Sequence, residues 1–516
     1  MAHGVRDVVI LGGGSAGWLV ASVLAAEWGG ADPCALRVTL VESPDVPIIG
    51  VGEGTWPSMR ATLHRIGLDE TDLVRECDAA FKQGSCFRGW VDGTPADRYY
   101  HPFMLPVGHG EADLAAAWLA DAPARPFADC VAVQPALCDA GLAPKQVVTP
   151  GFGAVVNYGY HFDAVKLGTL LRRHATQTLG VRHVTDHVLA VRPHDNGDIA
   201  ALRTAAHGDL AGELFIDCSG MASVLLGGHY GVPFRSVRDV LFNDSALAVQ
   251  VAHAAPDAPL ACTTVASAHA EGWTWDIALP QRRGVGLVYS SAHTDDAAAE
   301  RALRAYLQAS GAGDIVATPR RIRLDPGHRT VFWHRNCVAV GLAAGFIEPL
   351  EASALALVEL SAAMIRDELP ATRGEMNLVA RRFNQSFGYR WARIVDFLKL
   401  HYAIGLRSDA DYWREHRQPQ TLPASLAELL QLWQHRAPSR NDLDRHDEVF
   451  PVASYQYVLD GMGFRPQRAR APQAPVLERA RASLREAERS TRRLLGGLPR
   501  HRDLIDHIRR HGLPAH

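Results

Sequence analysis

Three glycines near the N-terminus, Gly12, Gly14 and Gly17, stand between a β-branched apolar run (VVIL, 8–11) and a helix-forming stretch. That spacing in that context is a dinucleotide-binding fingerprint. The first glycine permits a tight turn, the second lets backbone approach a pyrophosphate, and the third lets the helix pack on its sheet. The helix N-terminus, opening at Ser15 and Ala16, presents N–H groups and a positive dipole end to phosphate. A second strand, RVTLVE (37–42), ends in Glu42, 25 residues after Gly17, where a carboxylate accepts ribose hydroxyls. The unit is βαβ, and it selects an α/β, Rossmann-like fold.

The same stretch is the one candidate for a membrane span, since residues 8–26 carry no charge for 19 residues. Its glycines split it into strand and helix, and Asp7 with a broken apolar core argues against a signal peptide. Eight cysteines without a C-x-x-C pair suggest neither zinc nor a disulfide framework, and a cytoplasmic protein is expected. Net charge is −3, so no global field draws the chain to nucleic acid or an anionic membrane. The basic stretch from Arg465 to His516 interleaves acids and apolar residues (Leu477, Leu484, Leu494) at helical spacing, which reads as a solvated helix face.

A nicotinamide-dependent dehydrogenase would continue with regular βα units. Here the second strand runs into PIIGVGEGTWP (47–57), and FIDCSG (215–220) and GLAAGFIEP (341–349) follow later. Three glycine-bearing segments returning to one cofactor suit the long FAD molecule, and no second fingerprint offers a site for NAD(P)H. Elsewhere the pattern predicts a helix over 59–81, irregular loops with short strands over 84–160, a helix over 163–178 and strands over 182–220 and 240–290. VAVGL (338–342) reads as a strand before a helix from about 351 to 367, and residues 376–403 with most of the C-terminal region read as helical.

These motifs resemble, over nearly the whole chain, those of the flavin-dependent tryptophan halogenases. The resemblance rests on GGGSAGW (12–18), IIGVGEGTWP (48–57), FKQGSCFRGW (81–90), YHFDA (160–164), FIDCSG (215–220), WTWDI (273–277), GFIEPLEAS (345–353) and DFLKLHY (396–402). It implies a flavin-monooxygenase-type FAD-binding fold with an aromatic-rich substrate region and a helical C-terminal part. The expected division is an FAD-binding βαβ unit at 1–58, a substrate-side region at 59–165, the rest of the FAD module at 166–370 and a helical cap at 371–516.

The implied reaction uses FADH2 from a separate flavin reductase, O2 and chloride or bromide to halogenate an electron-rich aromatic through hypohalous acid. Lys82 would carry the electrophile to the ring, since an ammonium on a flexible stem can donate to hypohalous acid or hold its halogen. Glu351, the second acid of E-P-L-E, would steady the cationic ring and assist loss of its proton. Flavin contacts would fall at Gly12, Gly14, Ser15, Ala16, Gly17, Glu42, Val51, Gly52, Glu53, Val188, Leu342 and Leu355. Backbone N–H groups of Ser353 and Ala354 would hold halide.

Trp273 and Trp275 alternate and so share one strand face. The resemblance makes them a barrier between flavin and substrate. His101 and Phe103 would sandwich the aromatic ring, with Tyr455 and Tyr457 nearby. The sequence departs from the family pattern at Ala278, where proline is usual, and at Ala352-Ser353-Ala354, where Ser-Thr-Gly is usual. The segment Phe450–Tyr457 does not match the pattern that holds free tryptophan, so an indole-like arene is the expected substrate. A flavin-dependent aromatic hydroxylase is the alternative enzyme, and a flavoprotein without catalysis is a third reading.

Overall fold

In the computed structural model the VVIL run and RVTLVE form neighbouring parallel strands, Asp7–Leu11 and Arg37–Glu42, joined by the helix Ser15–Trp28. The structure describes residues 4–30, 32, 35–46, 52–467 and 473–514. Residues 47–51 of the PIIGVGEGTWP segment, Val51 among them, lie outside the described residues. Among the described residues, no helix is long and apolar enough to cross a membrane.

The chain divides into two units. The first comprises residues 1–79, 162–237 and 325–391. Its six-stranded sheet runs Trp333–His334, Cys337–Ala339, Leu214–Asp217, Asp7–Leu11, Arg37–Glu42, Arg182–Thr185, parallel throughout except for the first pair. Strands buried on both faces explain why VVIL and LFID are continuous apolar runs. The helices Ala164–Gln177 and Ser353–Asp367 pack with Ser15–Trp28.

The second unit comprises residues 80–161, 238–324 and 392–516. Its seven-stranded sheet orders Ile315–Arg323, Ser245–Val251, Arg283–Tyr289, Gly272–Ala278, Thr264–His269, Gly84–Arg88 and Arg98–Pro102. The helix Asp296–Ala309 lays Ala299, Leu303 and Leu307 on Val249, Val285 and Leu287 of that sheet. Helices Leu114–Asp121, Phe127–Val131, Val452–Gly461 and Ala474–Leu495 close a second core around Trp118, Phe127, Tyr457 and Ala480. Leu477 and Leu484 pack against this core, whereas Arg481 pairs with Asp121 at 2.8 Å on the outer side.

Three local readings need correction. The expected single helix over 59–81 is two helices, Ser58–Arg65 and Glu70–Glu76, followed by the strand Ala80–Lys82. Gly67 at φ 77° stops the first, and Asp69 caps the second by accepting the Thr71 N–H at 2.6 Å. Residues 84–160 hold short helices as well as strands, including Gln134–Asp139; helices of five to eight residues are too brief to show a period. The strand in VAVGL is only Cys337–Ala339, because the chain turns at Gly341 into a 3-10 turn ending at Ala343.

Candidate active site

In the first unit the C-terminal ends of adjacent parallel strands gather the glycine-bearing segments. Leu11 is in register with both Val41 and Asp217, and Asp217 with Ala339. The Gly12 loop, Glu42, the Cys218-Ser219-Gly220 turn and Gly341 therefore follow neighbouring strands, where open α/β sheets bind ligands. Asp217 is fully buried and fixes its turn by accepting from Ser219 N, Leu225 N and Leu226 N at 2.8–3.1 Å.

The loop fits a dinucleotide. Gly12 has φ 115°, and a Cβ there would lie 2.2 Å from Cys218 O, so the turn demands glycine. A Cβ on Gly14 would meet nothing within 4 Å, which leaves the approach to the backbone open. The helix starting at Ser15 has no side-chain cap and no acid in its first turn, an end whose free N–H groups and positive dipole suit a phosphate. Glu42 packs against Gly13, and His183 Nε2 holds its Oε1 at 2.7 Å, which orients the carboxylate beside the loop. Ser15 Oγ donates to Ala164 O at 3.4 Å, and Ala16 packs close to Gly341. Gly52 has φ 138°, and burial pushes the adjacent Glu53 carboxyl up to about 7. Val188 opens the strand Val188–Pro193, Leu342 sits in the turn after Gly341, and Leu355 is buried in the helix Ser353–Asp367.

The E-P-L-E segment also belongs to the first unit. Glu351 and Ala352 both adopt left-handed backbone, at φ 62° and 55°, immediately before that helix. Two successive non-glycine residues in this region are costly, at about 1–3 kcal/mol each. Trp56 steadies the kink by donating its indole N–H to Glu351 O at 2.7 Å. The kink turns the chain so that Ser353 and Ala354 open the helix without a side-chain cap.

Lys82 belongs to the second unit, at the end of the strand Ala80–Lys82 and opposite Gly159. It is fully buried, with Nζ 5.4 Å from the Phe103 ring centroid. Phe103 is anchored by its N–H to Gln83 O at 3.0 Å, so one backbone link ties the ring to the lysine strand. His161, opposite Ala80, donates or accepts through Nε2 to Thr264 Oγ1 at 2.8 Å. Burial, and then the charge on Lys82, holds His161 well below its ordinary value, so this imidazole stays neutral.

The aromatics expected to hold the substrate also gather in this unit. His101 Nε2 pairs with Ser454 Oγ at 2.9 Å, and its ring lies 6.1 Å from that of Tyr457. Tyr457 donates to Met104 O at 3.0 Å, while Tyr455 packs against Phe397 and Trp433 at 5.0 and 5.3 Å. Phe397, stacked on Phe450 at 3.8 Å, was not singled out from the sequence, although it lies within DFLKLHY. Nor was His501, which accepts the Phe81 N–H at 3.0 Å across 420 residues of sequence and has no local signal. Trp273 and Trp275 are both buried on one face of Gly272–Ala278, 6.5 Å apart edge to face, and Trp90 packs on Trp273 at 5.9 Å.

Comparison with known proteins agrees with this chemistry. A family model for tryptophan halogenase matches residues 7–476. The chain is 33% identical over 494 residues to tryptophan 6-halogenase SttH of Streptomyces toxytricini, covering 91% of this chain and 92% of that one. A tryptophan halogenase structure from Shewanella frigidimarina superposes with a TM-score of 0.95 at 45% identity, covering 99% of both chains. BrvH, a flavin-dependent halogenase from Brevundimonas sp. BAL3, gives 0.86 at 31% identity over 98% of this chain and 99% of that one. With both the sequence and the fold matched almost end to end, the chain belongs to the tryptophan halogenase family and is a flavin-dependent halogenase.

Proposed function

We propose that this halogenase places chlorine or bromine on an electron-rich, indole-like arene, using O2, halide and FADH2 from a separate flavin reductase in the cytoplasm. The observation that carries the reading is Lys82, a fully buried amine facing the Phe103 ring in a chain with only four lysines. The free state of every described cysteine supports a reducing compartment.

The uncapped N-terminus at Ser15 and the Gly14 backbone hold the pyrophosphate, and Glu42 accepts the ribose hydroxyls. Gly52, Glu53, Val188, Leu342 and Leu355 complete the cofactor's surroundings. Bound reduced flavin supplies, with O2 and halide, hypohalous acid. Ser353 and Ala354 N–H groups hold the halide. Lys82, as the neutral amine, takes the halogen from hypohalous acid as the oxygen–halogen bond breaks and the hydroxide leaves as water with an amine proton, or as the ammonium donates a hydrogen bond to the acid's oxygen; either way it presents the halogen to the arene. The ring carbon forms its bond to halogen, and Glu351 accepts the proton that leaves. His101, Phe103, Tyr455 and Tyr457 orient the ring, and Trp273 and Trp275 exclude it from the flavin.

The test is turnover with a generic flavin reductase, NADH, FAD, bromide and a panel of indoles that includes free tryptophan. The bromine isotope doublet in the product mass spectrum is the expected result. Halide-independent product carrying oxygen from labelled O2 would overturn it.

A further inference from the structure

On its pair of strands Lys82 shares a face with one other long side chain, which the halogenation steps leave unused. The strands Ala80–Lys82 and Gly159–Phe162 run antiparallel, with Ala80 opposite His161 and Lys82 opposite Gly159. Partners in such a ladder, and residues two apart along a strand, point to the same face. Those four positions therefore hold a methyl group, a glycine, the lysine and the imidazole. Ala80 and Gly159 are too small to stand between the other two. Lys82 and His161 are diagonal neighbours, about 7–8 Å apart at the backbone, a span that long side chains cross.

Both side chains are fully buried. His161 spends Nε2 on Thr264 Oγ1 at 2.8 Å, and its Nδ1 has no hydrogen-bond partner among the described residues. A buried N–H left unpaired beside a cation is costlier than a bare nitrogen lone pair. The ring therefore carries its proton on Nε2, donated to Thr264, and keeps a lone pair on Nδ1. Burial, then the charges on Lys82 and His501, holds the ring neutral and so preserves that lone pair. The face offers one fixed acceptor beside one cationic donor.

Hypohalous acid is complementary to that pair, since it has one proton to donate and one oxygen that accepts. We propose that His161 is a second binding residue for hypohalous acid at Lys82: Nδ1 accepts the acid's O–H, the Lys82 ammonium donates to its oxygen, and the halogen is the end left for the arene. The assignment rests on the halogenase reading above, which supplies the acid. On transfer the ring carbon bonds the halogen and the oxygen–halogen bond breaks, its electron pair staying on oxygen. The hydroxide takes a proton from Lys82 and leaves as water, and the proton lost by the ring balances the one Lys82 gave. His161 gains no proton; it binds and aims. Held at Lys82 alone, the acid is free to turn and to escape.

The test separates the two ring nitrogens. His161→Asn keeps an acceptor near the place of Nδ1 and gives up Thr264, whereas His161→Gln reaches Thr264 and loses the Nδ1 acceptor. FAD-loaded enzyme turns over with reductase, NADH, bromide and indole, with a cyclic β-diketone in solution to trap hypobromous acid that escapes. The readout is brominated indole formed per O2 consumed. His161→Asn is expected to stay near the wild-type ratio. His161→Gln and His161→Ala should fall about tenfold, the loss of one buried hydrogen bond, with trapped acid rising and O2 consumption unchanged. The opposite order, an equal loss in Asn and Gln, or a wild-type ratio in His161→Ala overturns the assignment. Thr264→Val serves should the His161 variants fail to fold. It lets the ring proton move from Nε2 to Nδ1, so the ratio should fall about threefold; an unchanged ratio in that folded variant also overturns the assignment. Failure of the halogenase reading looks different: wild type then yields neither brominated indole nor trapped acid, and the assignment falls with it.

Discussion

Gly12 and Gly14 stand two residues apart and answer to different neighbours. A side chain at Gly12 collides with Cys218 O inside the protein, whereas one at Gly14 meets only open space. Gly12→Ala is therefore expected to destabilise the fold by about 2–4 kcal/mol. Gly14→Val is expected to fold normally and to bind FAD about 100-fold more weakly, a difference of roughly 2.7 kcal/mol readable by flavin fluorescence. Normal flavin affinity in folded Gly14→Val would show that the cofactor is misplaced. At Lys82 the expectation concerns order of events. Lys82→Ala should cut halogenated product by at least about 100-fold while oxygen consumption by reduced flavin continues. Lys82→Arg should fail likewise, because guanidinium stays protonated and cannot hold the halogen. Glu351→Gln should retain weak activity, since the amide keeps the shape and loses the charge. Wild-type rate and regioselectivity in Lys82→Ala, by mass spectrometry, would sink the relay.

At the scale of elements, the tryptophan pair depends on a glycine in the next strand. Trp275 is paired with Gly286, and a Cβ on Gly286 would lie 2.0 Å from the Trp275 ring. Gly286→Ala should force the indole off its seat, lower stability by about 1–3 kcal/mol, and change the tryptophan emission spectrum. An unchanged spectrum and melting point would mean the ring has room that the packing does not show. The reading of residues 59–81 failed at this scale for a physical reason. Met59, Leu63, Leu73 and Phe81 keep a helical period because each faces a core. Gly67 and Asp69 carried the stop and start signals between them, and a period alone does not reveal a break that falls in phase.

Across the whole molecule, buried titratable groups set opposing slopes of stability against pH. Burial raises Glu53 to about 7, and Glu359, which accepts from Thr62 and Ser58, from 4.5 to about 7. A carboxyl raised in the folded state contributes its favourable proton below its unfolded value and loses that contribution as pH rises through about 7. Burial, with Arg407 second, lowers His269 from 6.5 to about 4, and burial lowers His161 and His416 well below the ordinary value. These neutral imidazoles lose stability as pH falls from 6.5. The melting temperature should therefore peak between about pH 6 and 7. Glu359→Gln should raise stability at pH 8 by up to roughly 3 kcal/mol, with the gap closing towards pH 5. A constant gap across that range, measured by calorimetry, would contradict a raised Glu359.

Glycine spacing, the acid that follows it and the lysine within its motif were legible because each is a local pattern whose chemistry constrains residue type and neighbours in sequence. Those patterns determined the α/β class and a dinucleotide cofactor, and the resemblance carried by eight motifs along the chain pointed to the halogenase family to which it belongs. The tertiary structure alone decided which distant side chains meet. Folding set His501 under Phe81, 420 residues away in sequence, and stacked Phe397 on Phe450. Contacts of this kind depend on how strands and helices pack, and packing leaves no period or spacing in the sequence to be read.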